Sequence, residues 1–228
     1  MKGKIIAIIP ARGGSKGIPG KNLIPINGRP LIEWSINHAL SSALVDEGWV
    51  SSDSQEILKF SESVGAKTIT RPVEISGDKA SSESAWIDAI IQIQKIDKSI
   101  ELVVGMQATS PIRNEQDIDN AIVQYREERL DTLFSGNILD DMNYWSINDN
   151  NNLYSVNYDH QKRRRRQELQ EKFLENGSFY LFTPRGILSN NNRLHGKIGC
   201  YLMTKKTMFQ IDEIEDMEIC EAIMKFKC

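Results

Sequence analysis

The sequence predicts an α/β fold, a doubly wound and mostly parallel sheet carrying one inserted arm. Three observations lead there. Lys4-Ile-Ile-Ala-Ile-Ile9 is a continuous apolar, β-branched run, the pattern of a strand covered on both faces. A glycine-rich, basic loop follows it directly. Strand-like and helix-like segments then alternate as far as Ser135, the order that makes parallel strands joined by helical crossovers.

Asn27-Gly28-Arg29-Pro30 reads as a turn, and Leu31 to Leu40 has helical spacing through Leu31, Trp34, Ile36, Ala39 and Leu40. Trp49-Val50-Ser51 ends a strand. Ser54 caps a helix from Gln55 to Val64, which Gly65 stops, and Lys67 to Thr70 is a short strand. Ala85, Trp86, Ala89, Ile90, Ile93 and Ile96 form one helical stripe. Leu102 to Met106 is a strand, Asp117 or Asn114 caps a helix to about Glu128, and Thr132 to Ser135 is another strand.

The alternation then breaks. Asp140 to Asn176 has few apolar residues, with Asn148-Asp-Asn-Asn-Asn152 and Arg163-Arg-Arg-Arg166. It is too long for an ordinary loop and reads as a functional excursion or an arm packing on a second subunit. Regular structure returns at Ser178 to Phe182 and Cys200 to Met203. The closing helix, Met217 to Phe226, is expected to bury Ile219, Ala222, Ile223 and Phe226. One domain over 1–228, with an inserted subdomain at 140–176, is the expected organisation.

Composition excludes several classes. A chain of 228 residues buries roughly 70–75% of its unfolded surface and needs no staples. Its 28 basic and 31 acidic residues leave a net charge of −3, and a pI near 5.7 argues against a general nucleic-acid binder. No window approaches the ~18 apolar residues of a membrane span. Cys200, Cys220 and Cys228 form no C-x-x-C pair, and Met1 to Pro10 reads as a buried strand, with no signal peptide expected. Reduced thiols, a cytoplasmic protein and no zinc are the expectation. His38, His160 and His195 are scattered and suggest no triad or metal cluster.

The chemistry concentrates in Pro10-Ala-Arg-Gly-Gly-Ser-Lys-Gly-Ile-Pro-Gly-Lys-Asn22. In an open parallel sheet, ligands bind beyond the carboxyl ends of the strands. Gly13, Gly14 and Gly17 let backbone approach a ligand and aim N–H groups at an anion, and Arg12, Lys16 and Lys21 add positive charge. The set suits a triphosphate better than a single carboxylate. It is not a Walker loop: Ser15 stands where the first Gly is needed and Asn22 where the hydroxyl is needed. The Gly-x-Gly-x-x-Gly dinucleotide fingerprint is absent too.

Ala7 to Asn22 resembles the opening motif of the acylneuraminate cytidylyltransferases, the CMP-sialic acid or CMP-nonulosonate synthetases. The resemblance continues in family order at Val50-Ser-Ser-Asp-Ser54, Arg71-Pro with Ala80-Ser-Ser82, Gln107-Ala-Thr-Ser-Pro-Ile-Arg113, Arg166-Gln167 with Asn176-Gly177, and Ile211-Asp212 with Glu215-Asp216. It implies a nucleotide-diphospho-sugar transferase-like, Rossmann-like fold and transfer of CMP from CTP to the anomeric 2-hydroxyl of a nine-carbon 2-keto acid sugar. Pyrophosphate leaves, and charge neutralisation and in-line positioning carry the catalysis. The arm implies a homodimer, and neither nucleic acid nor membrane is an expected partner.

By the same resemblance Arg12 and Lys21 contact the triphosphate. Ala11, Gly13, Gly14, Ser15, Lys16 and Asn22 shape its cradle, and Arg71 and Ser82 lie near the nucleotide. Ser82 reads equally as the N-cap of the helix carrying Trp86. Gln107, Arg166, Asn176 and Tyr180 match sugar-pocket positions, Arg166 as the grip on the sugar carboxylate. Tyr180 reads equally as plain strand packing, and Arg113 as a loop cap. The family holds Mg²⁺ with a pattern like Asp-Ile-Asp, two carboxylates on one face of a strand. This sequence has Gln210-Ile211-Asp212, so Asp212 is the expected metal ligand and Gln210 offers only an amide oxygen. The family's basic residue in the inserted region has no counterpart between Met142 and Ser146, which suggests a nonulosonate with other substituents. The eight-carbon (Kdo) enzymes have a different first loop, so that substrate ranks second. A catalytically silent nucleotide-binding protein is the remaining alternative.

Overall fold

The computed structural model describes residues 3–15, 17–77, 80–139, 142–163, 165, 168 and 171–226. The chain opens with β1 (Lys4–Pro10), a hairpin of β2 (Pro25–Ile26) and β3 (Arg29–Pro30), and α1 (Leu31–Ser41). Next come β4 (Glu47–Ser52), α2 (Gln55–Ser63), β5 (Lys67–Thr70), α3 (Ser82–Ile96) and β6 (Ile100–Met106). Then follow α4 (Asp117–Glu127), β7 (Thr132–Leu139), a hairpin of β8 (Trp145–Ile147) and β9 (Leu153–Ser155), and β10 (Lys172–Phe182). The last elements are α5 (Pro184–Asn190), β11 (Ile198–Leu202) and α6 (Ile214–Lys225).

Seven strands make one sheet in the order β11-β7-β10-β6-β1-β4-β5. The parallel pairings are β1 with β4 and β6, β4 with β5, and β7 with β11; β10 alone runs antiparallel to its neighbours, β6 and β7. This is the doubly wound, mostly parallel sheet that the alternation predicts. The exception has a cause: β10 returns from the arm and not from a helical crossover, so nothing reverses its direction.

β1 is buried on both faces, as its composition requires. Ile5, Ala7 and Ile9 face a cluster with Ile32 and Ile36 of α1, Ile57 of α2, and Ile118 and Ile122 of α4. Ile6 and Ile8 face Trp86, Ile90 and Ile93 of α3 and Ile187 of α5. Each fully buried isoleucine contributes roughly 1.5–3 kcal/mol, so this strand anchors both layers. Asn27 and Gly28, at φ 47° and 81°, make the two-residue hairpin turn. Ser54 Oγ accepts from Ile57 N–H and caps α2.

Four expectations need correction. Neither Asn114 nor Asp117 is the N-cap of α4; Gln116 is, without a side-chain bond, and the Asp117 carboxylate reaches back to the Asn114 N–H at 2.7 Å. α5 was not expected, although Thr183 caps it and Pro184 opens it. In α6 the buried side chains are Cys220 and Met224, while Ile219, Ala222 and Phe226 are exposed. The reason is that α6 packs on a satellite cluster of Ile18, Ile26, Leu31, Ile112 and Ile211, not on the sheet. Finally, β10 begins at Lys172, so the closing residues of the expected arm belong to the sheet. There Lys172 to Glu175 pair with Leu139 to Gly136 of β7.

Candidate active site

The sheet order reverses next to β1: the chain runs from β1 out to β4 and β5, then returns to β6 on the other side of β1. The crevice beyond the carboxyl ends of such strands is where open α/β sheets bind ligands. A cavity of about 360 Å³ opens there. Its wall includes Ala11, Arg12, Ser15, Lys21 and Asn22 from the loop after β1, Arg71 just after β5, Ser82 at the start of α3, Gln107 after β6, and Asp212 before α6.

The loop after β1 is braced rather than loose. Asn22, 6% exposed, donates from Nδ2 to Arg12 O at 3.0 Å and closes the loop on itself. Ile18 is buried in the cluster under α6 and pins the tip. Gly13 and Gly17 serve packing, while Gly14 faces open space. Gly13 N–H donates to Asp53 Oδ1 at 2.9 Å, and a Cβ on Gly13 would come within 2.9 Å of Ser54. A Cβ on Gly17 would lie 2.3 Å from Asp212 O. So the expectation that Gly13 aims its N–H at an anion is not met: Asp53 already accepts it. Lys21, with its side chain 11% exposed, donates to Ile211 O at 2.8 Å and to Asp212 Oδ1 at 3.0 Å. Lys16 lies outside the described residues.

Arg71 is buried yet lines the cavity. Its Nε donates to Ser76 Oγ at 3.1 Å, and Asp53 Oδ1 lies 3.9 Å from Nη2. Burial lowers the Arg71 pKa and the Arg12 charge lowers it further, against the pull of Asp53 and Asp88. Two guanidiniums that repel each other across a cavity are relieved by a polyanion between them. Ser82 is the first residue of α3 and lines the cavity, but the N-cap is Ser81, whose Oγ accepts from Ser84 N–H. The cap reading therefore belongs to its neighbour. The positive end of this fifteen-residue helix meets the cavity at Ala80, Ser81 and Ser82.

The sugar-side residues divide. Gln107 lines the cavity. Asn176 does not: it is 1% exposed, its Oδ1 accepts from Ser135 Oγ and Ser178 N–H, and its Nδ2 donates to Asn137 Oδ1. These bonds hold an irregularity in β10, where pairing with β7 shifts register between Glu175 and Tyr180. Tyr180 is 2% exposed and edge-on to Trp86, so it meets its packing reading. Burial and its bond to Glu175 Oε1 raise its pKa. Arg166 lies outside the described residues. Arg113 does cap the loop after β6, donating to Gln107 O, but from a wholly buried place: it also donates to Ser35 Oγ and Ser178 O and ties α1, that loop and β10 together.

Gln210-Ile211-Asp212 is not a strand but an irregular strap running into α6. The two side chains do not pair as on one strand face. Gln210 Nε2 donates to Asn176 O at 2.8 Å, while Asp212 is 71% exposed beside Lys21. Glu213 is the N-cap of α6, in a capping box with Asp216. Among the described residues no three His, Cys, Asp or Glu side chains gather to hold a metal. Mg²⁺ is commonly held by one or two carboxylates together with substrate phosphates and water. Asp212, the single cavity carboxylate among the described residues, fits that mode and does not make an all-protein cage.

Residues 6–226 match the family model described as Cytidylyltransferase. The chain belongs to that family. This cytidylyltransferase is 32% identical over 225 residues to the pseudaminic acid cytidylyltransferase of Campylobacter jejuni subsp. jejuni serotype O:2, covering 97% of each protein. It is 32% identical over 219 residues to N-acylneuraminate cytidylyltransferase A of Danio rerio, covering 95% of this chain and 50% of that protein. Among solved structures, it is similar to a CMP:2-keto-3-deoxy-manno-octonic acid synthetase complexed with CTP. There the TM-score is 0.74 at 18% identity, with 99% and 100% of the chains covered. A 4-diphosphocytidyl-2C-methyl-D-erythritol synthase from Anaerococcus prevotii gives 0.68 at 14%, covering 99% and 100%. At these identities the likeness is one of fold.

Sequence reasoning assigned no role to Asp53 or Arg193 of the cytidylyltransferase. Asp53 links the loop after β1 to Arg71. Arg193 lies over the rings of Trp86 and Tyr180, at 5.0 and 4.6 Å, and pairs with Glu83 at 2.6 Å. The motif Val50-Ser-Ser-Asp-Ser54 marked the first; nothing local marks Arg193, which meets its partners only through the fold.

Proposed function

We propose that the enzyme transfers CMP from CTP to the anomeric 2-hydroxyl of a nonulosonic acid and releases pyrophosphate. The observation that carries this reading is the convergence of Arg12, Lys21, Arg71 and the N-terminus of α3 on one cavity at the sheet's switch point. The relatives named for pseudaminic acid and N-acylneuraminate support the sugar class.

The triphosphate lies against the loop after β1. Arg12 and Lys21 neutralise charge that builds as the α-phosphorus is attacked and pyrophosphate departs. Arg71, fixed by Ser76, and Ser82 hold the nucleotide side. Gln107 orients the acceptor so that its 2-hydroxyl approaches in line. Mg²⁺, bound with the phosphates, would be held through Asp212 and would supply further charge neutralisation. Arg166 is proposed to grip the sugar carboxylate.

We also infer a cytoplasmic homodimer joined through the arm. The β8–β9 hairpin leaves Trp145, Ile147, Leu153 and Tyr154 exposed, an apolar surface that a second copy would cover. No helix among the described residues is long and apolar enough to cross a membrane.

The test is direct. The protein is incubated with CTP, Mg²⁺ and, in turn, pseudaminic acid, an N-acylneuraminate and 2-keto-3-deoxy-manno-octonic acid, and pyrophosphate and CMP-sugar are measured. Turnover with a nine-carbon sugar is expected. CTP binding without release on any sugar would replace this reading with a silent nucleotide-binding protein.

A further inference from the structure

The strap from Gln210 to Asp212 crosses between the loop after β1 and the loop after β6. Ile211 N–H donates to Thr109 O at 2.8 Å, Lys21 Nζ donates to Ile211 O at 2.8 Å, and Asp212 O packs against Gly17. A hydrogen bond ties the strap to β10: Gln210 Nε2 donates to Asn176 O at 2.8 Å. It lands at the register shift, beside Gly177. Gly177 has φ +66°, and a Cβ there would come within 2.5 Å of Gln210 Nε2 and 2.9 Å of Gln107 Oε1. β10 thus offers a notch, with a carbonyl at its edge, into which two cavity amides fit.

We propose that Gln210 is a positioning residue: its donated hydrogen bond to Asn176 O sets the strap so that Asp212 and Lys21 meet at the cavity. The proposal rests on the CTP-dependent reading above. Its physical basis is donor chemistry. A carboxylate at 210 can only accept, so facing the Asn176 carbonyl it is repelled and frees the strap from β10. Position 210 therefore supports Asp212 from behind and is not itself a ligand.

Gln210→Glu decides it, because glutamate keeps the shape of glutamine, loses the donor and adds a charge. Expected is a roughly tenfold rise in the Mg²⁺ needed for half-maximal pyrophosphate release, the low end for losing a supporting partner of a metal ligand. The KM for the sugar should stay unchanged. In metal-free protein without CTP, hydrogen exchange at the Ile211 amide should quicken, since its bond to Thr109 O depends on the same strap. Gln210→Met, with neither donor nor charge, should quicken exchange likewise. A Gln210→Glu protein that needs less Mg²⁺, or whose Ile211 exchange is unchanged, would overturn the proposal, the first by making position 210 a ligand. A raised sugar KM alone would also overturn it, by making Gln210 a sugar contact. Should the wild type release no pyrophosphate, the functional reading fails while the exchange comparison still decides the strap.

Discussion

Replacing Lys21 by methionine keeps the side-chain stem and removes the ammonium. Two contacts are lost in the resting protein, to Ile211 O at 2.8 Å and to Asp212 Oδ1 at 3.0 Å. The ion pair contributes little to folding, because the Asp212 side chain is 71% exposed and such pairs are worth about 0–1 kcal/mol. The bond to Ile211 O is better shielded, with the Lys21 side chain 11% exposed, and charged hydrogen bonds are worth roughly 1.5–3 kcal/mol. Together the loss is about 2 kcal/mol, a fall in Tm of roughly 4–8 °C for a chain of this size. The barrier should suffer more. Losing one preorganised charge-stabilising donor costs about 2.7–4 kcal/mol, which is on the order of 10²–10³ in kcat. The assay is pyrophosphate release at saturating CTP and sugar, run well below the melting point of the variant, with a melting curve on the same preparation. A folded Lys21→Met enzyme turning over near the wild-type rate would refute the role. A rate loss that merely tracks unfolding would refute it too.

Gly17→Ala drives a Cβ into Asp212 O at 2.3 Å, a backbone atom that cannot rotate away. A loss of roughly 1–3 kcal/mol in urea unfolding is expected, with a raised KM for CTP; wild-type values of both would show that the strap yields. Arg193→Met strips Glu83 of its partner. Burial alone would raise the Glu83 pKa, but the Arg193 bond and local backbone and Ser81 bonds hold it below its ordinary 4.5. A depressed carboxylate stabilises above its unfolded pKa and loses that contribution as pH falls through the folded one. The Tm gap between wild type and Arg193→Met should thus be full at pH 7 and shrink below about 4.5; a gap constant down to pH 3 would contradict this. Trp145→Glu, on the exposed hairpin, should convert a sedimenting dimer to monomer without lowering Tm of the monomer. An unchanged dimer would move the interface elsewhere.

The sequence by itself determined the parallel sheet, because a run such as Ile5 to Ile9 has no polar side to turn to water and must be covered twice. It also marked the basic loop and its place, since a buried strand delivers the next residues to the sheet's carboxyl edge. Arg12, Lys21, Arg71 and Gln107 were legible on those grounds and by resemblance, and the fold brings them to one cavity. What stayed hidden depends on contacts distant along the chain. Asn176 is a sheet residue because Ser135 and Asn137, some forty positions earlier, accept its burial. Gly13 gives its N–H to Asp53, which no local pattern announces. α6 turns Cys220 and Met224 inward because its partner is Ile18 and Ile211, not the sheet, and helical periodicity cannot say which surface a stripe will meet. Gln210 and Asp212 looked like a strand pair. The tertiary structure instead turned one amide to a carbonyl of β10 and left the carboxylate beside Lys21, since a strap crossing between loops takes its hydrogen bonds from whatever backbone it passes.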